Sequence, residues 1–202
     1  MANQNKPFGL RPVGTLNGSP WNNATRKYAV LAADTDPVYI GDVVKVAATN
    51  TLTATRTGTS PVAIATKVTD YTADVFLGVV TGIEPLVTDL SVTYRKASTL
   101  MGVHVCVDPN ALYEIQGDAD TFDPADVGLN SNLTTSTAST TTGISNMVLD
   151  QSTVDTTTTF PVQVLGVQAS PDNDVSSTAV YPVFLVKLNR ARFADNAVTG
   201  IA

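Results

Sequence analysis

From residue 39 to residue 82 the apolar positions come in short runs, YIGDVVKV, TLTATRTG, PVAIATKV and VFLGVVTG, separated by glycine-bearing polar junctions. Val43, Val44, Val46, Val62, Ile64, Val68, Val75, Leu77, Val79 and Val80 suit a pleated surface, and none of the runs has the length of an ordinary helix. This block is predicted as the centre of a compact β barrel or sandwich. Gly41-Asp42 and Thr57-Gly58-Thr59-Ser60-Pro61 are turn signals that would set the flanking strands antiparallel. Gly78 and Gly82 mark a bulge or tight bend, the device by which small barrels turn corners.

The same reading gives strands over 27–33, 90–97, 102–107, 112–116, 145–150, 160–168 and 179–188, with turns at Asp34-Thr35-Asp36-Pro37 and Asp108-Pro109-Asn110. Pro161 and Pro182 cannot donate a ladder bond and are expected at strand starts, edges or bulges. One short helix is predicted after Asp123. That residue caps, Pro124 takes the first position, Asp126 favours the positive end, and Gly128 stops the turn. The Ser/Thr-rich segment 131–143 is read as an exposed loop or a polar edge strand. The fold class is therefore all-β, a short-stranded antiparallel barrel or sandwich with an extended N-terminal arm and one short helix.

The arm is predicted over 1–26, the β-rich body over 27–190, and a short tail over 191–202. Pro7, Pro12 and Pro20 hold the first segment extended and aperiodic. It nevertheless carries Phe8, Leu10, Val13, Leu16 and Trp21, the chain's single Trp. Disordered segments are poor in such groups, so the arm is expected to order by laying apolar anchors on a partner. The alternative is that it folds back on its own body, with Trp21 filling a local pocket.

Charge sharpens that picture. Residues 1–27 hold Lys6, Arg11, Arg26 and Lys27 and no acid, whereas residues 28–186 hold five basic against 17 acidic side chains. A basic segment on an acidic body suits docking onto an acidic neighbour, including another copy of the chain. The acidic body repels phosphate and no basic stripe is interleaved with aromatics, so nucleic acid is not an expected partner. No apolar run approaches 18 residues and MANQNKPFGLRPVG lacks the apolar core of a secretory signal, so no membrane partner is expected. At 202 residues with 43% hydrophobic and 15% charged content, the chain can bury a genuine core.

Candidate chemistry is sparse. His104 and Cys106 fall two apart on one strand face, but nothing marks a third orienting group, and one His with one Cys cannot complete a four-ligand zinc site. A structural pair is the expected reading, with no enzyme activity and no cofactor. Glu114, Asp118, Asp120, Asp123 and Asp126 invite a calcium reading, yet their spacing is not that of an EF-hand loop, and the helix cap accounts for them better.

The run Pro7-Phe8-Gly9-Leu10-Arg11-Pro12-Val13, followed by Leu16-Asn17-Gly18-Ser19-Pro20-Trp21-Asn22, resembles the start of a family of tailed-bacteriophage capsid decoration, or cement, proteins. The likeness continues through 39–46, 77–82, Tyr94-Arg95-Lys96, 122–130, Met147-Val148-Leu149-Asp150 and 167–173. Gly14 departs from the pattern, standing where relatives would carry a basic side chain.

What the resemblance implies is a β-rich protein on the outer surface of the phage head, made in the cytoplasm of a bacterial host. Its partners would be the major capsid protein and neighbouring copies of itself, as homotrimers at local three-fold positions. Phe8, Leu10 and Trp21 would be the buried anchors of the arm and Arg11 its paired charge, with Pro12 and Arg26 also binding the partner, since aromatics and Arg dominate interface energetics. A chain lacking residues 1–26 is then expected to leave a folded body that no longer binds heads. Two other readings remain open: a carbohydrate-binding adhesin module, for which such β scaffolds are common, and a minor head or tail component.

Overall fold

The doublets Val43-Val44 and Val79-Val80 set the layout, because successive side chains of a strand point to opposite faces. In the computed structural model, which describes residues 3–47, 64–135, 138–176 and 178–194, Val43 and Val79 enter one core while Val44 and Val80 enter another. A sheet with an apolar layer on each face must be covered on both sides, and this one is.

That sheet contains β2 (Arg26–Val30), β3 (Val43–Val46), β4 (Ala65–Lys67), β5 (Gly78–Ile83) and β6 (Met101–Cys106), in the order β2-β6-β5-β3-β4. It curls until its far strands touch, with Ala29 bridging Ile64 in parallel. Tyr28, Val30, Leu77, Val103 and Val105 fill the space inside the curl with Val44 and Val80.

The second sheet contains β1 (Arg11–Thr15), β7 (Ala111–Gln116), β8 (Asn130–Thr134), β9 (Val148–Asp155), β10 (Val162–Val167) and β11 (Val183–Leu188), in the order β1-β7-β11-β10-β8-β9. It also bends round, and Gly117 at the end of β7 bridges Leu149 of β9. Its inward residues Tyr113, Ile115, Leu149, Val164, Phe184 and Val186 meet Val43, Val79 and Cys106 of the first sheet in the larger core. The protein is all-β, with both sheets antiparallel throughout their named strand pairs.

Local chemistry places several joints as the pattern predicts, but Gly41-Asp42 does not join antiparallel neighbours: β3 after it pairs with β4 and β5, while Val38 and Ile40 before it bridge Arg95 and Ile144. The register slips between Val80 and Gly82, a bulge beside the expected glycine. Pro161 and Pro182 each stand one residue before a strand. Asp123 caps a single 3-10 turn, Pro124–Asp126, accepting from the Ala125 N–H while Asp126 accepts from the N–H of Asp123. Gly128 follows at φ 95°.

Several expectations are corrected. The segment 90–97 is a succession of turns with an isolated bridge between Val38 and Arg95, because Arg95 is drawn inward to satisfy backbone carbonyls. Part of 131–143 belongs to β8, which lies inside the sheet between β10 and β9; Ser131 is fully buried and donates to the Asp150 carbonyl at 2.7 Å. The strand expected over 145–150 starts at Val148 and runs on to Asp155. The expected run 51–58, the turn at 57–61 and Val62 lie outside the described residues, as does the end of the tail from residue 195.

The larger correction concerns the arm. Residues 11–15 are β1, paired with β7 from Arg11 opposite Glu114 to Thr15 opposite Ala111. At the other end Ala191 is buried and the Arg192 N–H donates to the Phe76 carbonyl at 2.7 Å, so the chain up to Ala194 belongs to the body too. Neither boundary, at 26 or at 190, separates an appendage from the sheets.

The leading segment is seated where Gly9 and Gly41 meet, a Cβ on Gly9 standing 2.7 Å from the Gly41 carbonyl oxygen. The Leu10 N–H donates to the Gly41 carbonyl at 3.0 Å, Gly41 sits at φ 96°, and a Cβ there would stand 2.6 Å from the Phe8 carbonyl oxygen. Gly41→Ala is expected to lower unfolding stability by at least about 2 kcal/mol, from the left-handed backbone and the clash together. Urea denaturation measures it, and a variant as stable as the parent would contradict this seating.

Candidate functional site

The residues expected to grip a partner are mostly occupied within the chain. Leu10 is 1% exposed and lies in the larger core, and Pro12 is buried in β1. Trp21 is half-buried against the same core, and its indole Nε1 is enclosed with no acceptor among the described residues. These three cannot serve as free anchors, because burying them against their own sheet yields the same apolar gain that a partner would offer.

The basic charges follow the same course. Arg11 pairs with Glu114, a carboxylate 8% exposed that also accepts from Gln168 Nε2 at 3.0 Å, and its guanidinium lies 4.9 Å from the centre of the half-buried Phe8 ring. Lys27 pairs with Glu84. The basic segment and the acidic body thus complement each other inside one molecule. Arg26 stays exposed, on the wall of an open cleft of about 450 Å³ shared with Ala24, Val107, Pro109 and the exposed Phe193.

Sequence reasoning missed the most exposed apolar pair among the described residues. Val87 and Leu90 are 89% and 77% exposed. They stand three residues apart on a turn closed by the Asp89 N–H on the Leu86 carbonyl at 3.0 Å. The Asp89 carboxylate holds the turn from the other side, accepting from the Ser91 N–H at 3.1 Å and its hydroxyl at 2.6 Å. These two bonds hold its pKa below the usual aspartate value, the hydroxyl contributing most. A depressed carboxylate stabilises the folded turn above its unfolded pKa and loses that contribution only as the pH falls through the lowered folded value. The turn is therefore set at neutral pH. The spacing Asp89-Leu90-Ser91 was the available signal, an aspartate whose side chain can accept from the N–H two residues on.

The other candidate groups are tied into the body to different degrees. Cys106 is wholly buried, with the Tyr113 hydroxyl donating to its Sγ at 3.5 Å, and burial raises the Tyr113 pKa well above its ordinary value. His104 is half-buried beside it on β6. In the acidic segment Asp118 accepts from the Asp120 N–H at 3.2 Å, and Asp123 and Asp126 are committed to the helix cap. Among the described residues no three His, Cys, Asp or Glu side chains are grouped to hold a metal ion, and no helix is long and apolar enough to cross a membrane.

Comparisons with protein-family models, with curated proteins and with solved structures return no match for this chain.

Proposed function

We propose that this chain is a bacteriophage capsid decoration protein that binds the outer face of the assembled head and bridges neighbouring major capsid subunits. The observation that carries the reading is the turn bearing Val87 and Leu90, two large aliphatic side chains held in water by a hydrogen-bonded aspartate. Such a projection costs solubility unless something covers it. The resemblance of the sequence, from Pro7 through residue 173, supplies the partner.

The means of attachment differs from the one expected of a free arm. The body binds as a rigid block, and the turn at 86–91 inserts its aliphatic pair into a shell subunit. Burying the two side chains yields about 1.5–3 kcal/mol each. Many such contacts around one shell, and between copies grouped at a three-fold position, then act together.

The test is co-sedimentation with purified heads lacking this protein. Replacing Val87 and Leu90 together by Asp is expected to leave stability within about 0.5 kcal/mol, since neither side chain is packed, and to weaken head binding at least about a hundredfold. Undiminished binding by the folded double variant, or absence of the chain from the shell of particles made in its presence, overturns the proposal.

A further inference from the structure

On the second sheet an open cleft of about 490 Å³ gathers side chains from five separate stretches of chain. Asn5 and Pro7 come from the leading segment, Asp118 from the end of β7, Thr135 from the end of β8, Asn146 from the approach to β9, and Tyr181 from the approach to β11. The volume lies in the range of small-molecule sites. It has no part in the surface assigned to the capsid.

The walls are held by one buried amide. Gln116, 4% exposed, accepts from the Lys6 N–H at 2.9 Å and donates to the carbonyls of Gln4 at 2.8 Å and Tyr181 at 3.4 Å. Tyr181 is kept at φ 59°, a left-handed conformation uncommon for a side chain of its size, by its N–H on the Asp118 carbonyl at 3.1 Å. The cleft is thus pre-formed.

Its lining chooses among ligands. The one ionised group is a carboxylate, and no Lys, Arg or His lines the cleft, so phosphate and other anions are disfavoured. A dedicated cation site takes six or more oxygens, usually from several carboxylates, and Asp118 is the one carboxylate in this lining. What remains is one carboxylate among neutral groups, the amides of Asn5 and Asn146 and the hydroxyls of Thr134, Thr135 and Tyr181, beside the apolar faces of Pro7 and Tyr181. A sugar ring has the matching character, with vicinal hydroxyls around its edge and C–H groups on its face.

We infer that this cleft is a binding site for a neutral saccharide. Asp118 and Asn146 take adjacent hydroxyls and Tyr181 meets the ring. Partial burial, the largest influence on Asp118, raises its pKa from the ordinary value.

The experiment is an amide NMR titration of the full chain with methyl glucoside, methyl galactoside, methyl mannoside and N-acetylglucosamine, with inorganic phosphate in parallel. At least one sugar is expected to shift amides at 5–6, 117–119, 134–135, 146–148 and 181 together, with millimolar affinity. Asn146→Ala and Asp118→Asn are each expected to weaken that sugar about tenfold or more while Phe193→Ala, in the other cleft, leaves it unchanged. No shift with any of the four sugars up to about 50 mM overturns the inference. So do shifts scattered outside the cleft, or a response to phosphate in place of sugar. The wild-type map alone decides the matter if a variant fails to fold, and either result leaves the capsid proposal standing, because that proposal rests on Val87 and Leu90.

Discussion

A chain that starts at residue 27 will fail to fold as the full chain does. The deletion removes β1, leaves the Glu114 side of β7 as a bare edge, and takes Leu10 and Trp21 out of the larger core. Leu10→Ala alone should cost about 2–5 kcal/mol, the range for emptying a fully buried leucine site. Total stabilities are about 5–15 kcal/mol, so losing the core leucine, the strand pairing and the indole packing together consumes most of the margin. Thermal unfolding followed by circular dichroism should show no cooperative transition for the truncation, and size-exclusion chromatography should find it aggregated through the exposed edge. Leu10→Ala should remain folded, with a midpoint lowered by roughly 2–4 °C for each kcal/mol lost. A truncated chain that melts like its parent would show that residues 1–26 are an appendage after all.

The second large effect is expected at Arg95. This arginine is fully buried, yet its nearest carboxylate oxygen, on Asp34, is 3.9 Å away. What holds it is a set of four carbonyls: Nη2 donates to Leu31 at 2.5 Å and Asp34 at 2.8 Å, Nη1 to Asp36 at 2.7 Å, and Nε to Thr99 at 3.1 Å. The guanidinium thus closes the 31–36 turn onto the 95–99 turn. Its own backbone joins Val38 on both sides, at 2.8 and 3.1 Å.

Arg95→Met keeps much of the volume and leaves those carbonyls without a donor, which should cost about 3–5 kcal/mol. Arg95→Lys keeps the charge but offers one compact ammonium where a planar fork spans two turns, and should still lose about 2 kcal/mol or more. Urea denaturation at constant slope reads both. A lysine variant of parental stability would mean that charge alone, and no fork, is what this position needs.

Arg95 also marks the limit of reading from sequence. Leu90-Ser91-Val92-Thr93-Tyr94 alternates apolar and polar residues as a strand does, yet 90–97 turns repeatedly. Three of the four carbonyls that draw Arg95 inward, those of Leu31, Asp34 and Asp36, lie 64, 61 and 59 residues away in the chain, and no local period records that pull. The aliphatic pair Val87 and Leu90 was obscured for the same reason. By contrast, the cap at Asp123 and the turn at Asp108-Pro109-Asn110 were legible because each depends on bonds among residues only a few positions apart, and the bulge by Gly82 was legible because glycine itself marks it.

The site was less legible than the fold. Phe8, Leu10, Pro12 and Trp21 have the right character for anchors, and they are anchors; composition cannot say whether the surface they meet belongs to the same chain. Apolar burial has no direction and no label. Only the pairing of β1 with β7 assigns them to the body.

Short valine-rich runs and the turn residues between them were enough to place strands and an all-β class, since strand alternation and turn geometry are local properties of the backbone. Which strands became neighbours, where the leading segment came to rest and which aliphatics were left in water depended on closure of two sheets across most of the chain's length. Those outcomes are set by the competition of distant surfaces for one another, and that competition exists only once the chain has folded.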